Sequence, residues 1–285
     1  MATFRPKLWL GLTATLAGSA AVALVASQAQ AASAHADTPF QLAAAGGEGG
    51  EGGEGGEGGE HGHQAMDPLA GARADEALAA RLILMKGHLD VGHELYLAGL
   101  TKDAEPHMTH PSTEIYGRIE GQLKAQGVPG FHDKLDAVRL AFEAKATGPN
   151  FEKPYADAIA AIDKAIATVN AKASSPPAPA RLAYLVLGVA ASEYKSAFDK
   201  DGEKIAEAVE YQDALGFYRQ ARALVEANAA SFKKRDATAY SQVVAHLDGV
   251  KKTWPSAAVP PEPVTSASRF QSEVLTLTGL LKSFE

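Results

Sequence analysis

The chain has no cysteine among its 285 residues. Disulfides, thiolate metal sites and a cysteine-linked lipid anchor are thereby excluded. An exported helical chain without disulfides suits a Gram-negative periplasm better than a eukaryotic secreted domain. Methionine is scarce: there are four, and Met1 sits in the leader. A thioether-rich site of the kind Cu(I) prefers is therefore not expected. No basic stripe with interleaved aromatics is present and the net charge is −7, so nucleic acid is not an expected partner. The negative balance favours weak attraction of cations instead. Long hydrophobic runs are also missing, apart from one at the N-terminus.

That run defines residues 1–31. Arg5 and Lys7 precede a stretch rich in Leu, Ala and Val, which closes on Ala29-Gln30-Ala31. This is the layout of a secretory signal peptide, with alternative cleavage points at Ala34 and Ala36. Gly, Ser and Thr interrupt the apolar run, which argues against a retained membrane span. A periplasmic or secreted location is expected. Residues 32–67 read as a linker. Within it GGEGGEGGEGGEGGEHGH places Glu48, Glu51, Glu54, Glu57 and Glu60 at every third position, closed by His61 and His63. So much glycine neither buries a core nor holds a helix, so disorder is expected. The glutamates repel and extend the tract. It reads as a solvated tether, with weak cation collection as a compatible second role.

From Pro68 onward the composition turns to Ala, Leu, Glu and Lys, with apolar residues at helical spacing. Leu78, Leu82, Met85, Leu89, Tyr96 and Leu100 form one stripe, and Leu84, Val91 and Leu95 lie beside it. The first helix thus has a broad buried face, as in a bundle. Gly99 is a stop, and Thr101 a cap for the next segment. Pro111 suits the first turn of a helix running to about Gln126. Further helices are expected over 131–146, 153–172, 178–199, 203–229, 232–252 and 265–283. The segment ASSPPAPA, residues 173–180, reads as a hinge. Beyond it the pattern restarts: Ala80-Arg81-Leu82 matches Ala180-Arg181-Leu182, and Asp136-Ala137 matches Asp236-Ala237. The expected fold is an all-α helical bundle of two related four-helix halves, 68–173 and 174–285.

Four of the nine histidines fall between Leu82 and Tyr116, each close to a carboxylate. Imidazole plus carboxylate is a ligand set for zinc, copper, nickel and non-haem iron. His107, His110 and Glu114 have spacings of three and four, which put all three on one face of a continuous helix. A helix starting at Pro111 would instead leave both histidines in a capping turn, otherwise solvated. His88 and His93 are five apart and point in different directions, so at most one joins that pair; His93 is preferred for its height on the first helix. Taken alone, His93 reads as a partly buried side chain. Across the hundred-residue offset His93 or Glu94 falls opposite Glu193, and His107 and His110 fall opposite Glu207 and Glu210. Two hairpins facing each other would bring these nitrogen and oxygen donors to one interface. Taken singly, the three glutamates read as solvated helix charges.

These residues point to an exported transition-metal-binding protein, a carrier or an accessory to uptake. A hard, carboxylate-rich site leans to iron or zinc, with copper still open. The expected partners are the metal ion and a membrane transporter or outer-membrane receptor. The competing reading is a metal-free helical scaffold. The phrase LYLAGLTKDAEPHM resembles one helix-turn-helix of tetratricopeptide type, without that family's repeat. An enzyme is not expected: the paired Glu-x-x-His motifs of di-iron bundles, His-Glu-x-x-His and Gly-x-Ser-x-Gly are all missing. In general plan, exported and built from two helical bundles, the chain resembles imelysin-like periplasmic iron-uptake proteins. Their Gly-x-His-x-x-Glu motif is not found, since Gly92-His93-Glu94 lacks the spacing, so no residue roles follow from that likeness.

Overall fold

Helix α1 (Ala74–Leu97) is apolar almost all round, and it is buried accordingly. Leu78, Leu82, Met85, Leu89, Val91 and Leu95 are each at most 2% exposed. Both stripes read from the sequence therefore face protein along most of α1, with Leu84 and Tyr96 partly buried and Leu100, beyond the helix end, exposed. This computed structural model describes residues 68–285; the expected leader (1–31) and Gly/Glu linker (32–67) lie outside the described residues. Along the chain come α2 (Thr101–His110), a π-helical turn (Pro111–Ile115), α3 (Tyr116–Ala125), α4 (His132–Glu143) and α5 (Pro149–Lys172). Then come α6 (Pro179–Ser196), α7 (Ala208–Ala227), α8 (Ala229–Lys251), α9 (Ala267–Leu281) and a closing 3₁₀ turn (Lys282–Phe284). No strand occurs among the described residues; a single bridge joins Phe198 and Ile205. The fold is an all-α bundle. None of the described helices is long and apolar enough to cross a membrane.

Packing gives α1 the central place. It packs against α2, α5, α6 and α7. Helices α6 and α7 form a tight hairpin, and α9 covers α6 while touching α8. The start of α1 is tied to α6 through Glu76, only 4% exposed. Its carboxylate accepts from the Arg73 backbone N–H at 3.1 Å and pairs with the Arg181 guanidinium at 3.4 Å.

Among the departures from the expected boundaries, three have a local cause. The helix expected to start at Pro111 is preceded by α2, so His107 and His110 lie on a helix and not in a capping turn. Proline has no N–H to give, and the π turn absorbs this: Tyr116 N–H reaches back to the Pro111 carbonyl. Helix α7 starts at Ala208, not at 203, because Ala206 and Glu207 N–H both turn onto the Ala197 carbonyl, at 2.8 and 3.0 Å. Helix α8 is broken at Asp236, whose backbone is extended (φ −156°, ψ 103°). Its Oδ1 accepts from Ala239 N–H at 2.9 Å, the geometry of an N-cap starting a new helix.

Candidate metal centre

Three helices deliver one donor atom each to a single point. His88 from α1, His107 from α2 and Asp213 from α7 each place one such atom within 4.8 Å of the other two. Nδ1 of His88 is 2.6 Å from Asp213 Oδ1, and Nδ1 of His107 is 2.9 Å from that same oxygen. His107 is fully buried and Asp213 is 7% exposed. The separations are those of hydrogen bonds, but the angles are not: none of the three atoms completes one. Buried polar atoms in folded proteins are almost always satisfied. Three orphans converging on one another suit a cation placed between them.

Close backbone packing sets this geometry. A Cβ on Gly216 would collide with the Gly87 carbonyl oxygen, and one on Gly87 would stand 2.7 Å from Phe217 Cδ1. Helices α1 and α7 therefore touch backbone to backbone, one residue before His88 and three after Asp213. On the other side of α1, a Cβ on Gly92 would lie 2.5 Å from Met108 Cε and 2.8 Å from His107 Cβ. The missing side chain lets α2 bring His107 in. Phe217 holds the His88 ring edge-on, centroids 5.0 Å apart. Trp254 anchors the first turn of α7 by donating its indole N–H to the Tyr211 carbonyl at 3.2 Å.

His107 has its other nitrogen committed. Nε2 donates to Gln212 Oε1 at 2.9 Å, since an amide oxygen only accepts. That bond fixes the ring and turns Nδ1 toward Asp213, as outer-sphere partners do for metal-ligating histidines. Burial would lower the imidazole's pKa, but the Asp213 carboxylate outweighs it and the group titrates above its ordinary value. Burial likewise pushes Asp213 up, yet the two histidines beside it hold its carboxyl well below the usual range. On α6, Glu193 is partly buried. Burial, followed by the charges of Asp213 and Glu210, pushes its carboxyl up to about 8.

Residues 169–284 match the model of the iron permease-associated 4-helix bundle domain family. No curated protein and no solved structure matches the chain. The matched segment contains α6 to α9 and with them Glu193, Glu210, Gln212 and Asp213. His88 and His107 precede it. The cluster is thus assembled between the segment similar to the iron permease-associated domain and the helices before it.

The structure brings together only part of the donor set expected from sequence. His88, rather than His93, joins His107, because the α7 crossing lies at Gly87. His93 turns to α5, where Nε2 meets Glu152 at 3.0 Å and the ring stacks on Tyr155 at 4.1 Å. His110 and Glu114 stand 3.7 Å apart, His110 partly exposed and Glu114 exposed; neither joins His107 in the cluster. Glu94 pairs with Arg219 at 2.5 Å and accepts from Ala257 N–H at 3.2 Å. Glu207 is exposed beside the start of α7. Asp213 and Gln212 lie outside the expected set. Their signal is a polar pair inside the apolar run from Tyr211 to Tyr218, all eight residues of which are buried. Elsewhere a groove of about 410 Å³ runs along the π turn, lined by Ser112, His132, Asp136 and Arg139 among others. His132 Nε2 there donates to the Ser112 carbonyl at 2.9 Å, fastening α4 to the turn.

Two imidazoles and one carboxylate are the facial donor set of non-haem Fe(II), with positions left open. Donors bound at about 2.0–2.2 Å stand roughly 3.0–3.4 Å apart. The two close pairs here would open by a few tenths of an ångström on binding. The donor types, their burial and their orphaned atoms fit a divalent transition metal.

Proposed function

We propose that this chain is an exported iron-binding protein that serves uptake as a carrier or as the partner of a membrane transporter. It holds Fe(II) between His88, His107 and Asp213. The observation that carries this reading is the convergence of two buried imidazole nitrogens and one carboxylate oxygen without hydrogen bonds of their own. The similarity of residues 169–284 to an iron permease-associated domain favours iron over zinc or copper, and transport over chemistry. The leader expected at residues 1–31 supports a periplasmic location.

The test is anaerobic titration of the leaderless chain with Fe(II), and with Zn(II), Cu(II) and Ni(II) for comparison. We expect Fe(II) to bind with Kd below about 1 μM, and His107→Ala or Asp213→Ala to weaken it at least a hundredfold. No metal binding tighter than about 0.1 mM would overturn the reading and leave a helical interaction module.

A further inference from the structure

Helix α2, the π turn and α3 form one continuous helical run. His110, Pro111, Ile115 and Tyr116 all keep right-handed helical φ and ψ across the two junctions. The run carries one surplus residue. Tyr116 N–H reaches five residues back to the Pro111 carbonyl, and four-residue spacing resumes in α3. The helical ladder thereby passes over the Ser112 carbonyl. A buried carbonyl needs a donor, and Ser112 is only 4% exposed. Helix α4 supplies it: His132 Nε2 donates to the Ser112 carbonyl at 2.9 Å. Asp136, one turn further along α4, accepts from Ser112 Oγ at 3.0 Å. The second nitrogen of His132 faces Asp136 at 3.6 Å, and Arg139 Nε donates to Asp136 Oδ1 at 3.3 Å. Two side chains of α4 thus grip the turn at the carbonyl its ladder leaves over.

We propose that His132 and Asp136 are positioning residues for the metal centre: by holding the π turn they set the rotation at which α2 presents His107. The inference rests on the metal-binding reading above. His107 stands five positions before Ser112 on the same helical run. A regular helix advances about 100° per residue. Drawing the surplus residue into a regular helix would therefore rotate α2 against α3 by about that angle. Helix α3 is held by Tyr116, Ile119 and Leu123, all buried, whereas α2 buries only Ala104 and Met108 beside His107. Helix α2 is also the weaker element, since neither Pro106 nor Pro111 has an N–H for the ladder. The rotation would fall on α2. His107 would then leave Gln212, now 2.9 Å from its Nε2, and Asp213, now 2.9 Å from its Nδ1. Neither His132 nor Asp136 touches the ion in this scheme; both act through Ser112.

The experiment uses the full leaderless chain in four forms: wild type, His132→Ala combined with Asp136→Ala, His132→Gln, and the double variant with Thr113 also deleted. Thr113 is an exposed residue of the π turn. Fe(II) titration reads affinity and Co(II) absorption reads coordination. In the metal-free proteins, the His107 Nε2–H proton resonance reads the bond to Gln212, and thermal melts check folding. We expect the double substitution to weaken Fe(II) about 10- to 100-fold, to change the Co(II) bands and to lose the His107 resonance. His132→Gln keeps an N–H that can reach the Ser112 carbonyl, and should bind nearly as wild type. Deleting Thr113 takes the surplus residue away, so the double variant should recover both binding and resonance without its grip on the turn. A general loss of stability would not be repaired by removing a residue. Unaltered affinity and resonance in the double variant, or no recovery on deletion, would overturn the role of His132 and Asp136 and leave the three-residue site standing. Absence of binding in the wild type would overturn both.

Discussion

Gln212 decides what His107 can do. With Nε2 donating to the amide oxygen, only Nδ1 is left to face Asp213. We expect Gln212→Leu to weaken Fe(II) about 10- to 100-fold while the helices persist, measured by titration and circular dichroism. Glu193 should leave a pH signature on the metal-free chain. Its carboxyl titrates at about 8 in the fold, against about 4.3 in an unfolded chain. Between those values the folded state keeps a proton that the unfolded state has released, so stability falls as pH rises through the window. Glu193→Gln removes that loss. Urea midpoints should show little difference between variant and wild type near pH 4, and a clear gain for the variant at pH 8. At this scale the sequence is half legible. The density of histidines beside carboxylates draws attention to the stretch that carries His88 and His107, which the fold brings together with Asp213. The choice of His93 over His88 goes astray because a helical wheel gives direction without saying which neighbour stands there. Asp213 escapes because its partners come from distant helices, and nothing near it in the sequence is charged except Glu210.

Elements are more legible than residues, since burial imposes a period and caps punctuate it. Gly99 ends α1 as expected, and the Pro/Ser-rich segment separates α5 from α6. The misreadings fall at local interruptions: α2 continues through Pro106 up to the Pro111 turn, and Asp236 breaks α8 by capping a new helix. Asp236→Ala should cost about 1 kcal/mol by removing a cap in mid-element; chemical denaturation measures it. The crossing of α1 and α7 makes a sharper prediction. Gly216→Ala pushes a methyl into the Gly87 carbonyl, with backbone on both sides and nothing to repack. It should destabilise by upwards of about 2 kcal/mol and weaken iron binding as well, because it pries His88 from Asp213. Gly121→Ala on α3 meets nothing within 4 Å and should stabilise by roughly 0.5–1 kcal/mol. The pair of variants separates crowding from helix propensity.

For the whole molecule, the centre ties two hairpins into one body. His88 and His107 stand on the hairpin of α1 and α2, and Asp213 stands on that of α6 and α7. A ligand that binds only the folded chain stabilises it by mass action, about 2.7 kcal/mol at a hundred times Kd. Fe(II) should accordingly raise the melting temperature of the wild type, and leave His107→Ala unchanged. The all-helical class is plain from composition and period. The cross-hairpin assembly is foreseeable only as a possibility of topology, because pairing of distant helices is written in shape complementarity, here in Gly87, Gly92 and Gly216, and glycines carry no hydropathy signal.

His107 and Gln212 are 105 positions apart, and the donors lie on three helices that meet only when both hairpins have docked. A chain threaded through a membrane as an extended strand has no such meeting point. Where the proposed export threads the chain in this way, the ion does not travel out of the cell with its protein. It is acquired wherever the chain completes its fold, and an occupied centre certifies that the fold is complete.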